Sequence, residues 1–158
     1  LTPGQNEAWV TKGDGLAWAR KPTPETFAEF GDESFELKRY SLAENVENLD
    51  NTLKVLWQNN PTTRVIFTVS PIPSSATFFD VNVAVRSFEN KANLLLAVKE
   101  VVNSYPQRAY YFPSFEMAIL SNNANLQLDN RHVRPLVVKQ IMDCFDQSFL
   151  ADSKVIDS

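Results

Sequence analysis

A carboxylate three residues ahead of an imidazole is a compact acid–base unit, and this chain has one such unit, Asp129-Asn130-Arg131-His132, built on its single histidine. One turn of chain brings the carboxylate to Nδ1 and leaves Nε2 to take a proton from a hydroxyl. The carboxylate orients the ring and stabilises the imidazolium that forms during catalysis. The same four residues also read as a surface histidine in an Asx-type turn, with Asp129 capping the helix that follows. Spacing alone leaves both readings open.

Other chemistries are poorly provided for. Cys144 is the one cysteine, so the chain can form neither an internal disulfide nor a thiolate metal site. A lone histidine argues against a zinc site, and no glycine-rich phosphate loop is evident. No metal and no cofactor are therefore expected. Lys and Arg number 15 against 19 Asp and Glu, with basic residues clustered no further than Arg20-Lys21 and Lys38-Arg39. Nucleic acid is thus not an expected partner, because phosphate binding needs a clustered positive field. No apolar run approaches the ~20 residues that span a bilayer. With 44% hydrophobic and 22% charged residues, the composition is that of a soluble globular protein, and 158 residues fit one domain with a real core. The chain starts at Leu1, not methionine, and reads as cut, which leaves localisation unknown; a soluble, cytoplasmic setting is favoured over secretion.

The elements that must position the pair follow from periodicity. Residues 1–9 read as the tail of a strand turning into a loop, and 10–40 as irregular, with a short strand over 35–40. Ser41-Leu42-Ala43-Glu44 is a capping box. It opens a helix to about Asn59 whose Val46, Leu49, Leu53, Leu56 and Trp57 form one buried stripe. Residues 64–69 are the clearest strand, apolar throughout as in a buried parallel sheet. A loop follows, then a helix over 87–104 with Leu94, Leu95, Val98, Val101 and Val102 inward and Lys91, Lys99 and Glu100 in water. A second strand spans 109–112 and should pair in parallel with the first. A helical turn over 115–120, a polar loop over 121–131 and a helix over 135–149 complete the chain. That last helix should bury Val138, Ile141, Met142, Phe145 and Phe149, and 151–158 should fray. The order predicts an α/β fold with a parallel sheet. Two strands alone leave open edges, so further strands are expected ahead of Leu1.

Three features fall at strand ends or in the loops beyond them, where open α/β sheets place function: Gly4-Gln5-Asn6-Glu7, Ser70-Pro71-Ile72-Pro73 and Asp129–His132. Together they resemble the SGNH hydrolase superfamily, with its Gly-x-Asn-Asp block after one strand and its Asp-x-x-His block before the last helix. Glu7 here stands where Asp is usual. The narrower resemblance is to the GSCFA-domain family. It is carried by Gly4 to Trp9, Phe67 to Pro73, the helix start over 91–100, Tyr111-Phe112-Pro113-Ser114-Phe115-Glu116, and Asp129 to Val133. The resemblance implies a three-layer SGNH/flavodoxin-like fold, of which 1–158 form the C-terminal portion of a single domain. It implies a Ser-His-Asp triad with His132 as base and Asp129 as its orienter. The Gly-Ser-Cys-Phe-Ala block that supplies the serine has no counterpart here and would lie upstream of Leu1.

By the same resemblance Asn6 donates its side-chain amide to the oxyanion, a contact worth about 3 kcal/mol in a comparable site, and Gly4 lets the backbone come close. Asn6 also reads as a loop residue that caps the segment after it. Ser70 reads as a turn residue before Pro71, since no Gly-x-Ser-x-Gly elbow surrounds it. Trp9, Trp18 and Phe115 read as core or as the lining of a sugar or acyl cleft. The expected function is ester hydrolysis or O-acyl transfer on a small-molecule or carbohydrate ester. An upstream segment or partner chain would complete the sheet. The alternative is a non-catalytic α/β binding or scaffold module.

Overall fold

The computed structural model describes residues 1–18, 20–120 and 125–150. The tail 151–158, expected to fray, lies outside them, as do residues 121–124 of the expected polar loop.

The centre is a parallel pair, β4 (Val65–Phe67) and β5 (Ala109–Tyr111), with Val65 opposite Ala109 and Phe67 opposite Tyr111. This is the pairing expected from the two apolar runs. Residues 1–3 run along the other edge of β4. The Leu1 nitrogen donates to Ile66 O at 2.8 Å, Thr68 N donates to Leu1 O and Ser70 N to Pro3 O, both at 3.0 Å. That stagger is a parallel one. Residues 1–3 thus run beside β4 as a strand tail would, although the loop expected through residue 9 gives way to a new strand from Glu7, and β4 is hydrogen-bonded on both edges.

Helices cover both faces of β4. Its side chains alternate, as strand geometry requires. Val65 and Phe67 pack with Leu53 and Trp57 of α2 (Leu42–Asn59) and with Val98 and Val101 of α3 (Val83–Ser104). Ile66 points the other way, into a cluster of Phe112, Ala118 of α4 (Ser114–Leu120) and Ile141 of α5 (Pro135–Phe149). The capping box that starts α2 is complete. Glu44 N donates to Ser41 Oγ at 3.2 Å and Ser41 N donates to Glu44 Oε2 at 2.8 Å.

Residues 10–40 are not irregular. They form an antiparallel sheet in the order β2-β1-β3, from β1 (Glu7–Thr11), β2 (Ala17–Trp18) and β3 (Phe35–Arg39). The short helix α1 (Pro24–Phe30), capped by Thr23, and a 3₁₀ turn at Asp32–Ser34 connect β2 to β3. The sheet holds together through aromatic edges. Trp9 meets Phe27 at 5.8 Å between ring centroids, and Phe35 meets Trp18 at 5.5 Å and Phe27 at 5.3 Å. Such pairs contribute about 0.5–1.5 kcal/mol each beyond their buried area. Gly31 takes φ 82° at the exit of α1, a left-handed backbone that glycine adopts without strain.

On α5, Ile141, Phe145 and Phe149 pack inward as expected, but Val138 and Met142 are exposed and Val137 and Cys144 pack inward beside the others. On α3 the expected face holds, with Leu94, Val98 and Val101 buried and Lys99 and Glu100 in water, but Lys91 is buried as well.

Candidate active site

The Asp129–His132 pair sits on a closed turn. Leu126 and Val133 form an antiparallel bridge, Gln127 N donates to His132 O at 2.7 Å, and Asn130 N donates to Gln127 O at 3.0 Å. Asn130 takes φ 55° at the tip, a conformation asparagine tolerates better than most residues. Asp129 divides its two oxygens. Oδ1 accepts from the backbone nitrogens of Arg131 at 2.9 Å and His132 at 3.0 Å, which makes an Asx turn. Oδ2 lies 2.5 Å from His132 Nδ1. The two sequence readings therefore coincide in part: the turn is the device that fixes the pair. Asp129 does not cap α5, whose N-cap is Arg134 with no side-chain bond. The imidazole hydrogen bond, with the backbone N–H groups of His132 and Arg131, holds the Asp129 carboxyl well below the usual carboxylate range. Both side chains remain about half exposed, 45% for Asp129 and 53% for His132. Among the described residues nothing bonds to His132 Nε2.

Gly4 packs against Ser70. A Cβ there would stand 3.1 Å from Ser70 Cβ, tighter than most side chains accept. Its carbonyl accepts a hydrogen bond from Lys91 Nζ at 2.8 Å. Asn6 is fully enclosed. Its Oδ1 accepts from Asn45 Nδ2 at 2.5 Å, and its Nδ2 has no partner among the described residues. Asn45 Nδ2 also lies 2.8 Å from Asn93 Oδ1 and 3.0 Å from Ser41 O. Glu7, the variant position of the Gly-x-Asn block, accepts from Thr77 Oγ1 at 3.1 Å and so holds the loop after β4.

That loop, the start of α3, α4 and the histidine turn enclose one cavity of about 290 Å³, lined by Pro71, Pro73, Ser87, Lys91, Phe115 and Asn130 among others. Arg131 Nη2 reaches Pro73 O at 3.5 Å, a long contact that brings the turn against the loop. The cavity lies beyond the C-terminal ends of β4 and β5 and is lined by Asn130 of the histidine turn and by Lys91, whereas Gly4 does not line it. Asn6 does not line it, and neither Asn6 nor Gly4 bonds to the histidine pair. Of the aromatics, Phe115 lines the cavity, whereas Trp9 and Trp18 belong to the antiparallel sheet. Ser70 Oγ accepts from Ile72 N at 3.4 Å, as a turn residue does, and Ser114 Oγ bonds Thr68 Oγ1. Glu116 accepts from the Tyr111 hydroxyl at 2.8 Å. Burial and that carboxylate push the Tyr111 hydroxyl pKa up. No group of three or more His, Cys, Asp and Glu suited to a metal occurs among the described residues. No described helix is long and apolar enough to cross a membrane.

Lys91 is the site residue that sequence reasoning missed. The signal was present: position 91 lies three before Leu94 and seven before Val98, on the buried stripe of α3. Burial pushes its ammonium down to about 8 from 10.5. The folded state therefore binds fewer protons than the unfolded state between those values, and stability rises with pH across that window. Relative to Lys91→Met, the wild-type chain should gain stability from pH 8 to 10.5 and show no such gain from pH 6 to 7. Urea midpoints of both proteins at each pH check this. A constant difference would place the ammonium in solvent.

The family model described as GSCFA family matches residues 1–145. No curated protein and no solved structure matches the chain significantly.

Proposed function

Because the chain belongs to the GSCFA family and holds a carboxylate-bound imidazole beside an apolar cavity, we propose that it supplies the acid–base part of an SGNH-type ester hydrolase or O-acyl transferase. The observation that carries the reading is the 2.5 Å contact of Asp129 Oδ2 with His132 Nδ1, which leaves Nε2 without a partner among the described residues. That is the arrangement a base needs if it is to take a hydroxyl proton. On this reading residues 1–158 are the C-terminal portion of one domain, and the nucleophilic serine lies in a segment ahead of Leu1. His132 takes the serine proton and returns it to the leaving alcohol. Asp129 holds the ring and stabilises the imidazolium.

Asn6 is the oxyanion donor of this proposal. Asn45 occupies its oxygen, so the NH₂ end is the one left unpaired. The donor is enclosed, so the reading requires the turn at residues 4–7 to open toward the substrate. The substrate is an ester of a small molecule or carbohydrate.

The test is hydrolysis of p-nitrophenyl acetate by this chain, by the chain with its upstream segment, and by the longer chain carrying Asp129→Asn. The 158-residue chain should show no activity above background, since a base without a hydroxyl within ~3 Å activates nothing. The longer chain should be active, and Asp129→Asn should lower its kcat by about 10⁴. Asparagine keeps the oxygen that closes the turn, so the loss would be chemical. A folded but inactive longer chain would favour a non-catalytic binding module instead.

A further inference from the structure

Lys91 is the one charged residue among those that line the cavity. Pro71, Pro73, Phe88, Phe115 and Ile119 supply the apolar surface, and Lys91 is only 4% exposed. Its ammonium carries three N–H donors. One goes to Gly4 O at 2.8 Å, and among the described residues no carboxylate pairs with it. A buried cation without a counter-ion is costly and is relieved by an anion that reaches it. We propose that this cavity binds a small amphipathic carboxylate, its apolar body against Phe88, Phe115 and Ile119 and its carboxylate on the Lys91 ammonium.

Two observations set the class. The volume of about 290 Å³ is at the lower end of ligand pockets, which run from roughly 300 to 1,000 Å³, so a short aliphatic acid fits. One ammonium, with no arginine lining the cavity, balances a single charge; a phosphate would call for several donors in a fork. Asn130 lines the same cavity two residues from His132. The ligand's role as the acid released by ester cleavage rests on the function proposed above. Its binding does not.

The experiment is calorimetric titration of the 158-residue chain at pH 7 with hexanoate and with hexan-1-ol, repeated on Lys91→Met and Ile119→Trp. Hexanoate should bind the wild-type chain about tenfold more tightly than hexan-1-ol. Lys91→Met should erase that preference while hexan-1-ol still binds, and Ile119→Trp should weaken both ligands about tenfold by filling the cavity. Equal binding of the two ligands to the wild-type chain overturns the proposal. So does a preference that survives Lys91→Met, or binding that Ile119→Trp leaves unchanged. If Lys91→Met fails to fold, the wild-type ligand comparison and Ile119→Trp decide alone. Hexanoate binding together with an inactive longer chain, the one that includes the upstream segment, would sink the enzymatic reading and keep this site; esterase activity of that longer chain without hexanoate binding would do the reverse.

Discussion

On the proposed function, replacing His132 with alanine should lower kcat for ester hydrolysis by on the order of 10⁶ in a protein that carries both this chain and the nucleophile. Serine and histidine act as a unit in a triad, and losing either removes nearly all the gain. His132 is the only imidazole in these 158 residues. Its side chain is 53% exposed and bonded to one carboxylate. Truncation there should therefore change stability by no more than about 0.5 kcal/mol. The two readouts separate the explanations. A large kcat loss with an unchanged urea midpoint assigns His132 to the chemistry. A variant retaining more than about 1% of the wild-type rate would show that some other group moves the proton.

The largest effect on folding is expected at the centre of the sheet. Phe67→Ala should cost about 3–5 kcal/mol. The ring is fully buried among Leu53, Trp57, Val98 and Ala109. Its strand is hydrogen-bonded on both edges, by residues 1–3 and by β5, so the backbone has little freedom to collapse into the void. At this chain length each kcal/mol lowers Tm by about 2–4 °C, which predicts a fall of roughly 6–20 °C. A urea midpoint that falls at constant slope would confirm a loss of native packing alone. A loss under about 1 kcal/mol would mean that the two helical layers close over the gap.

Much of this architecture is legible in the residues. The Ser41–Glu44 box and the Leu53–Trp57 stripe define α2, and two apolar runs define β4 and β5 as parallel neighbours. The contact between Asp129 and His132 follows from their spacing, and the structure adds the Asx turn that fixes it. The antiparallel sheet is harder to read. β2 has two residues, and the stretch from β1 to β3 is broken by Gly13, Gly15, Pro22, Pro24 and Gly31, so no period-two run is long enough to register. What stabilises it is a set of aromatic edges between residues far apart in sequence. Lys91 escapes notice for the opposite reason. Its position fits the buried stripe, but a lysine is expected in water unless something receives its charge. The receiver, the Gly4 carbonyl, lies 87 positions away.

Helix α3 changes character along its length. Its first turns bury Arg86, Ser87, Asn90 and Lys91, and its last turns bury Leu94, Ala97, Val98 and Val101. The two halves should therefore respond differently to random mutagenesis. In a library scored for expression, the apolar half should resist change most, because each truncation there leaves a cavity in a packed core. In a library scored for ligand capture, the polar half should become the intolerant one. One helix would then carry two separate constraints, and its first half could be rewritten for a new ligand without disturbing the half that keeps the domain folded.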